Sequence, residues 1–63
     1  MKQYNVMVGN CVFTTETDKA TANQRAWDVS CWYSDALCYV SHKNGNVVAG
    51  TKKYKNGLEV TNG

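Results

Sequence analysis

The chain contains no proline. No loop is stiffened by a fixed φ, and no strand or helix is interrupted by a missing N–H. No apolar run approaches the ~18 residues of a membrane-spanning helix, so no membrane partner is expected. The first ten residues, Met1 to Asn10, lack the apolar core of a secretory signal. Cysteine is sparse and odd in number: Cys11, Cys31 and Cys38, with no C-x-x-C pair. That pattern argues against a dense disulfide framework and suits a reducing, cytoplasmic setting.

Chemistry-bearing motifs are scarce as well. Gly45, Gly50 and Gly57 fall in three different contexts, so there is no phosphate-cradling loop. The lone histidine, His42, has Asp35 as its nearest carboxylate in sequence, and no nucleophilic pair is legible. Cys11, Cys31, Cys38 and His42 are the right types for zinc. Their spacing lacks the C-x₂₋₄-C knuckle, and four positions along a strand span roughly 13 Å, too far for one chelate. The expectation is a non-enzymatic protein with no metal and no cofactor.

What is present is a 63-residue chain of net charge +2 with 43% hydrophobic residues. Its length allows one small domain over residues 1–63, which hides only about 60% of its unfolded surface. Charge is unevenly spread. Glu16, Asp18, Asp28 and Asp35 sit in the first two thirds, whereas Ser41 to Leu58 holds no acid and carries Lys43, Lys52, Lys53 and Lys55. Lysines of this kind guard exposed sheet edges or contact phosphates.

Two Asn-Gly dipeptides, Asn44-Gly45 and Asn56-Gly57, punctuate the C-terminal third. Asn-Gly between β-favouring runs is the strongest short hairpin signal, because a type I′ turn needs φ > 0 at both central residues. Upstream, Tyr4, Val6 and Val8 alternate with Asn5 and Met7 as in a half-buried strand. Gly9-Asn10 marks a turn, and Cys11 to Thr15 reads as a second short strand. A helix follows, N-capped by Asp18 or by a Thr21–Gln24 capping box, with Ala22, Ala26, Val29 and Tyr33 on one stripe and an end near Ser34-Asp35. The reading is an α+β fold: a small, mostly antiparallel sheet of three to five strands, one helix packed on one face, in β(β)αβββ order.

With two-residue loops at both Asn-Gly turns, Val40 faces Ala49, Lys55 faces Leu58 and Lys53 faces Val60. Cys38, Val40, Val47, Ala49, Leu58 and Val60 then share the core face. Leu37, Tyr39, Ser41, Val48, Lys52, Tyr54 and Glu59 lie on the other. Tyrosines beside a lysine on an open sheet face make a partner surface of Tyr39, Lys52 and Tyr54. Trp27 falls on the outward side of the helix, where an unburied indole suits an interface anchor or the seam of a homodimer. The alternative is a basic hairpin that binds nucleic acid, with Lys43, Lys52, Lys53 and Lys55 on phosphates and the two tyrosines stacking bases.

In its size and its strand–helix–hairpin layout the chain resembles small accessory proteins of phages and mobile elements, among them inhibitors of host defence systems such as anti-CRISPR proteins. The resemblance rests on outline and on no specific residue. It implies a protein that occludes a surface on a larger protein or protein–nucleic-acid complex.

Overall fold

A computed structural model describes residues 2–60. Five strands form one antiparallel sheet: β1 (Tyr4–Val8), β2 (Cys11–Glu16), β3 (Cys38–Ser41), β4 (Lys53–Lys55) and β5 (Leu58–Val60), in spatial order β2-β1-β3-β4-β5. A single helix, α1 (Lys19–Trp32), crosses one face of the sheet. The expected α+β architecture is therefore present, at the upper end of the expected strand count.

β1 joins β2 through Gly9-Asn10, with Gly9 at φ +60. A glycine there supplies the left-handed first position of a tight hairpin without a Cβ penalty. The register slips once between Val6 and Met7, which pair with Thr14 and Val12, leaving Phe13 as the extra residue of a β-bulge.

Asp18 is the N-cap of α1. Its carboxylate accepts hydrogen bonds from the Thr21 amide and the Thr21 hydroxyl, both at 2.8 Å. The capping box at Thr21 is thus displaced, because Thr21 lies inside the first turn with its hydroxyl committed to Asp18. The helix ends at Trp32, two residues before the expected Ser34, with Tyr33 as C-cap donating its amide to the Val29 carbonyl.

The two Asn-Gly turns behave differently. At Asn56-Gly57 both residues are left-handed (φ +54 and +75), and Lys55 pairs with Leu58 and Lys53 with Val60, as expected. At Asn44-Gly45 only the glycine is left-handed. The Gly45 amide donates to the His42 carbonyl at 2.9 Å, and the His42 amide to the Asn46 carbonyl at 2.7 Å. The loop is therefore Lys43-Asn44-Gly45, three residues long. Its type I turn followed by a left-handed glycine is the other common hairpin solution. Asn44 turns its side chain inward on the loop and accepts the Asn46 amide at 3.1 Å.

One additional loop residue moves every partner by one and flips each side chain to the other face. Ser41 now pairs with Val47, and the Val48 amide donates to the Val40 carbonyl. Val48 is 4% exposed, whereas Val47 is 42% exposed and Ala49 is exposed. The expected core positions Val47 and Ala49 are thus corrected to Val48. After Val48 the chain leaves the ladder, and it re-enters as β4 with Tyr54 opposite Cys38. That register places Tyr54 and its partner Glu59 on the helix side. Leu58 and Val60, expected inside, lie on the open face, and Leu58 is 69% exposed.

The core is built from small side chains: Val6, Ala22, Ala26, Val29, Cys38, Val40 and Val48, with Tyr4, Val8 and Tyr54 packed at its margin. Alanines at positions 22 and 26 bring the helix backbone close to the sheet. No aromatic ring enters the fully buried set among the described residues. Each buried valine is worth about 1.5–3 kcal/mol, so the interior alone is modest and its margin carries weight.

Candidate interaction surfaces

The residues expected to form one contact surface are divided among three places. Trp27 is 40% exposed and is engaged within the chain: its indole N–H donates to the Gly57 carbonyl at 2.8 Å. Ser30, one turn further and fully buried, accepts the Gly57 amide at 3.1 Å and donates its hydroxyl to the Trp27 carbonyl at 2.6 Å. Both backbone groups of the turn glycine are therefore held by helix side chains. Trp27 is thus exposed, as expected, and its indole lies beside the tip of the β4–β5 hairpin.

Tyr54 lies on the helix side, where its hydroxyl accepts from the Asn23 amide at 3.4 Å, and the Asn23 carbonyl oxygen accepts the Lys52 backbone amide at 3.1 Å. Asn23, Trp27 and Ser30 follow each other at helical spacing and form a polar seam between α1 and the last hairpin. Lys52 stands beside this seam, paired with Glu59 at 3.0 Å. The hydrogen bond to Glu59 raises the Lys52 ammonium above its usual range. The pair is open to solvent, and exposed pairs contribute little to stability.

Tyr39 is the member of the expected set that remains on the open face. It lies opposite Met7 of β1, and its hydroxyl donates to the Gly9 carbonyl at 3.0 Å. The pairing of Cys38 with Tyr54 puts Tyr39 and Tyr54 on opposite sides of the sheet. A two-tyrosine stacking platform is thereby removed.

The same register gathers Lys53 and Lys55 on the open face with Tyr39, Leu58 and Val60. Lys43 sits at the tip of the β3 hairpin, away from them. All five carboxylates lie elsewhere. Glu16 pairs with Tyr4 and Glu59 with Tyr54 on the helix side; Asp18 caps α1, Asp28 is on α1, and Asp35 follows it. Among the described residues the open face thus combines two ammonium groups and exposed aliphatic side chains with no side-chain carboxylate.

A second apolar region was not legible as a unit. Phe13, placed on the helix side by the bulge, packs edge-on against Trp32 and Tyr33 with ring centroids 6.1 and 6.2 Å apart. Trp32 is 64% exposed, and Phe13 and Tyr33 are each more than two-fifths exposed. A groove of about 260 Å³ beside them is lined by Val8, Cys11, Val12, Phe13 and Tyr33. The only sequence cue was the aromatic pair Trp32-Tyr33 at the helix end. Its junction with Phe13 depends on an irregularity that no turn residue announces.

Of the thiols, Cys38 is buried and Cys11 and Cys31 are exposed; burial pushes the Cys38 thiol up. His42 lies beside Tyr4, with ring centroids 6.4 Å apart. Among the described residues no three groups of His, Cys, Asp or Glu come together as a metal site, and no helix is long and apolar enough to cross a membrane. No protein family, characterised protein or solved structure matches the chain.

Proposed function

We propose that the chain is a non-enzymatic protein-binding module that docks through the open face of its sheet and occludes an acidic, apolar-studded patch on a larger protein or nucleoprotein complex. In biological terms this is the behaviour of a small inhibitor of the phage or mobile-element type, acting in the cytoplasm. The carrying observation is the charge segregation. Lys55 lies opposite Leu58 and Lys53 opposite Val60 on a face that carries no side-chain carboxylate among the described residues. Such a surface repels basic partners and steers acidic ones, while the aliphatic groups supply burial.

Protein is favoured over nucleic acid by the placement of the rings. Base stacking needs successive aromatic platforms. Here Tyr54 lies on the helix side and Tyr39 is tied to the Gly9 carbonyl.

The test is partner recovery by the wild-type chain, by Leu58→Ala and by Lys53→Glu with Lys55→Glu, each checked for folding by circular dichroism. The charge reversal and the truncation each abolish recovery if the open face is the contact. Recovery unchanged in both rejects the proposal. Binding to short DNA or RNA that falls steeply with salt assigns the lysines to phosphates instead.

A further inference from the structure

We propose that Asn44 is a site of spontaneous deamidation built into the loop after β3, where the Gly45 backbone nitrogen attacks the Asn44 side-chain amide, and that the same reaction at Asn56-Gly57 is held back by the helix.

The covalent step needs only the chain and water. The Gly45 nitrogen gives its proton to a solvent base and forms a bond to Asn44 Cγ. The carbonyl electron pair moves onto Oδ1. The tetrahedral centre then collapses and expels the Nδ2 nitrogen as ammonia, leaving a cyclic imide. Water cleaves one of the two N–C bonds of the imide. Cleavage at Cγ gives aspartate. Cleavage at the main-chain carbonyl carbon gives isoaspartate, with the chain routed through Cγ. Glycine suits the attacking position because no Cβ hinders its nitrogen.

The loop favours this reaction in three ways. Asn44 Oδ1 accepts the Asn46 amide at 3.1 Å. This Asx turn closes a small ring that contains both Asn44 Cγ and the Gly45 nitrogen, so the side chain is folded toward the atom that attacks it. The Asn46 N–H also rests on the oxygen where negative charge develops, at a distance that stabilises an oxyanion. The Gly45 amide is held by a single turn bond to the His42 carbonyl, and residues 42–47 are all exposed, so local opening costs little. Finally, Lys2 and Lys43 line a groove of about 360 Å³ together with Gln3, His42 and Asn44. Two ammonium groups and no carboxylate in that lining favour both the oxyanion and the carboxylate that replaces it.

At Asn56-Gly57 the attacking amide is enclosed. It donates to the fully buried Ser30 hydroxyl at 3.1 Å, and the Gly57 carbonyl accepts the Trp27 indole N–H at 2.8 Å. A Cβ at Gly57 would lie 3.0 Å from the Cys31 sulfur. The turn must leave the helix before its nitrogen is free to react.

Either product places a carboxylate in the stretch from Ser41 to Leu58, which holds no acid, and lowers the net charge of +2 by one unit. Isoaspartate also lengthens the main chain of a loop whose length sets the Ser41–Val47 register.

The test incubates the folded chain in mildly alkaline heavy-oxygen water and maps its peptides by mass spectrometry. Fragmentation separates Asn56 from Asn62, which precedes Gly63 outside the described residues. Asn44 is expected to exchange its amide for one heavy oxygen about tenfold or more faster than Asn56, a barrier difference of about 1.4 kcal/mol. In guanidinium the two rates converge, with Asn44 no faster than in the folded chain. Ser30→Ala and Trp27→Phe, each checked for folding by circular dichroism, speed conversion at Asn56 and leave Asn44 unchanged. Equal rates in the folded chain, faster conversion at Asn56, the same disparity in guanidinium, an Asn44 that reacts faster once unfolded, or an Asn56 rate that neither variant moves overturns the proposal.

Discussion

Replacing Ser30 with alanine removes the acceptor for the Gly57 amide, and its cost can be worked from the seam it occupies. Ser30 is fully buried, and its oxygen both receives the Gly57 N–H and reaches the Trp27 carbonyl. Loss of the acceptor leaves a covered amide without a partner, a penalty of about 1–3 kcal/mol. The Trp27 carbonyl loses only a neutral hydrogen bond, whose net worth is nearer 1 kcal/mol. Since part of the turn can open to water, the sum is expected at about 1.5–2 kcal/mol. A domain of this size is stable by roughly 3–9 kcal/mol, so the substitution removes a sizeable share. At about 4–8 °C per kcal/mol, the midpoint of thermal unfolding falls by roughly 6–16 °C. Circular dichroism melts and urea titrations measure it directly.

A double-mutant cycle with Trp27→Phe sharpens the test. Trp27 holds the carbonyl of the residue whose amide Ser30 holds. Once the turn is released by one substitution, the second has less to lose. The coupling is expected at about 0.5 kcal/mol or more. A Ser30→Ala variant within ~0.3 kcal/mol of wild type, or two costs that simply add, would refute the view that helix and turn act as one unit.

Three further outcomes follow from other parts of the molecule. Gly57→Ala combines a left-handed φ with a Cβ 3.0 Å from the Cys31 sulfur, whereas Gly45→Ala meets open space at a similar φ. Both lose about 1–2 kcal/mol to backbone strain, Gly57→Ala loses more in urea unfolding, and Cys31→Ala recovers only the excess. Val48→Ala costs about 2 kcal/mol, as for other buried aliphatic truncations, whereas Val47→Ala stays within about 0.5 kcal/mol of wild type; equal effects would restore the two-residue loop. The hydrogen bonds from Thr21 hold the Asp18 carboxyl below the usual range. Its contribution to stability is thus complete above its unfolded pKa and is lost as the pH falls through its folded pKa. Asp18→Asn keeps a capping oxygen and flattens that acid limb in pH-resolved melts.

Much of the architecture was legible because local chemistry admitted one answer. Asn56-Gly57 is followed by only three described strand residues and set the Lys55–Leu58 register correctly. The alternation of Tyr4, Val6 and Val8 identified the inward side of β1. Asn44-Gly45 was ambiguous for a physical reason. An Asn-Gly pair fits either a two-residue turn with both φ positive or a three-residue loop in which only the glycine is left-handed. The adjacent valines Val47 and Val48 give the sheet an acceptable core residue in both registers. Asn44 settles the matter with its side-chain bond to the Asn46 amide, an interaction that spacing does not encode. The error then passed through every position assigned from that turn, including Tyr54, Leu58 and the grouping of Lys52 with Tyr39.

The candidate site was less legible than the fold. Ser30 was missed because an apolar stripe counts hydrophobes, whereas the helix meets the last hairpin through Asn23, Trp27 and Ser30. Lys53 and Lys55 were legible only as two of four lysines in the nucleic-acid alternative, and the two-residue loop at Asn44-Gly45 put them on the face of Leu58 and Val60 that was expected to be the core face. The cluster of Phe13 with Trp32 and Tyr33 required knowing that β2 gains a residue at Phe13.

The placement of its carboxylates makes this small molecule electrically lopsided. Its open face carries Lys53 and Lys55 with no side-chain carboxylate among the described residues, whereas the helix and the side it covers mix Glu16, Asp18, Asp28 and Glu59 with Lys19, Arg25 and Lys52. In a field it would turn before it moved, presenting the lysine side to any negative object. At physiological salt that orienting torque acts only within ~8 Å. Diffusion brings the molecule near in any attitude, and the final approach selects which side lands.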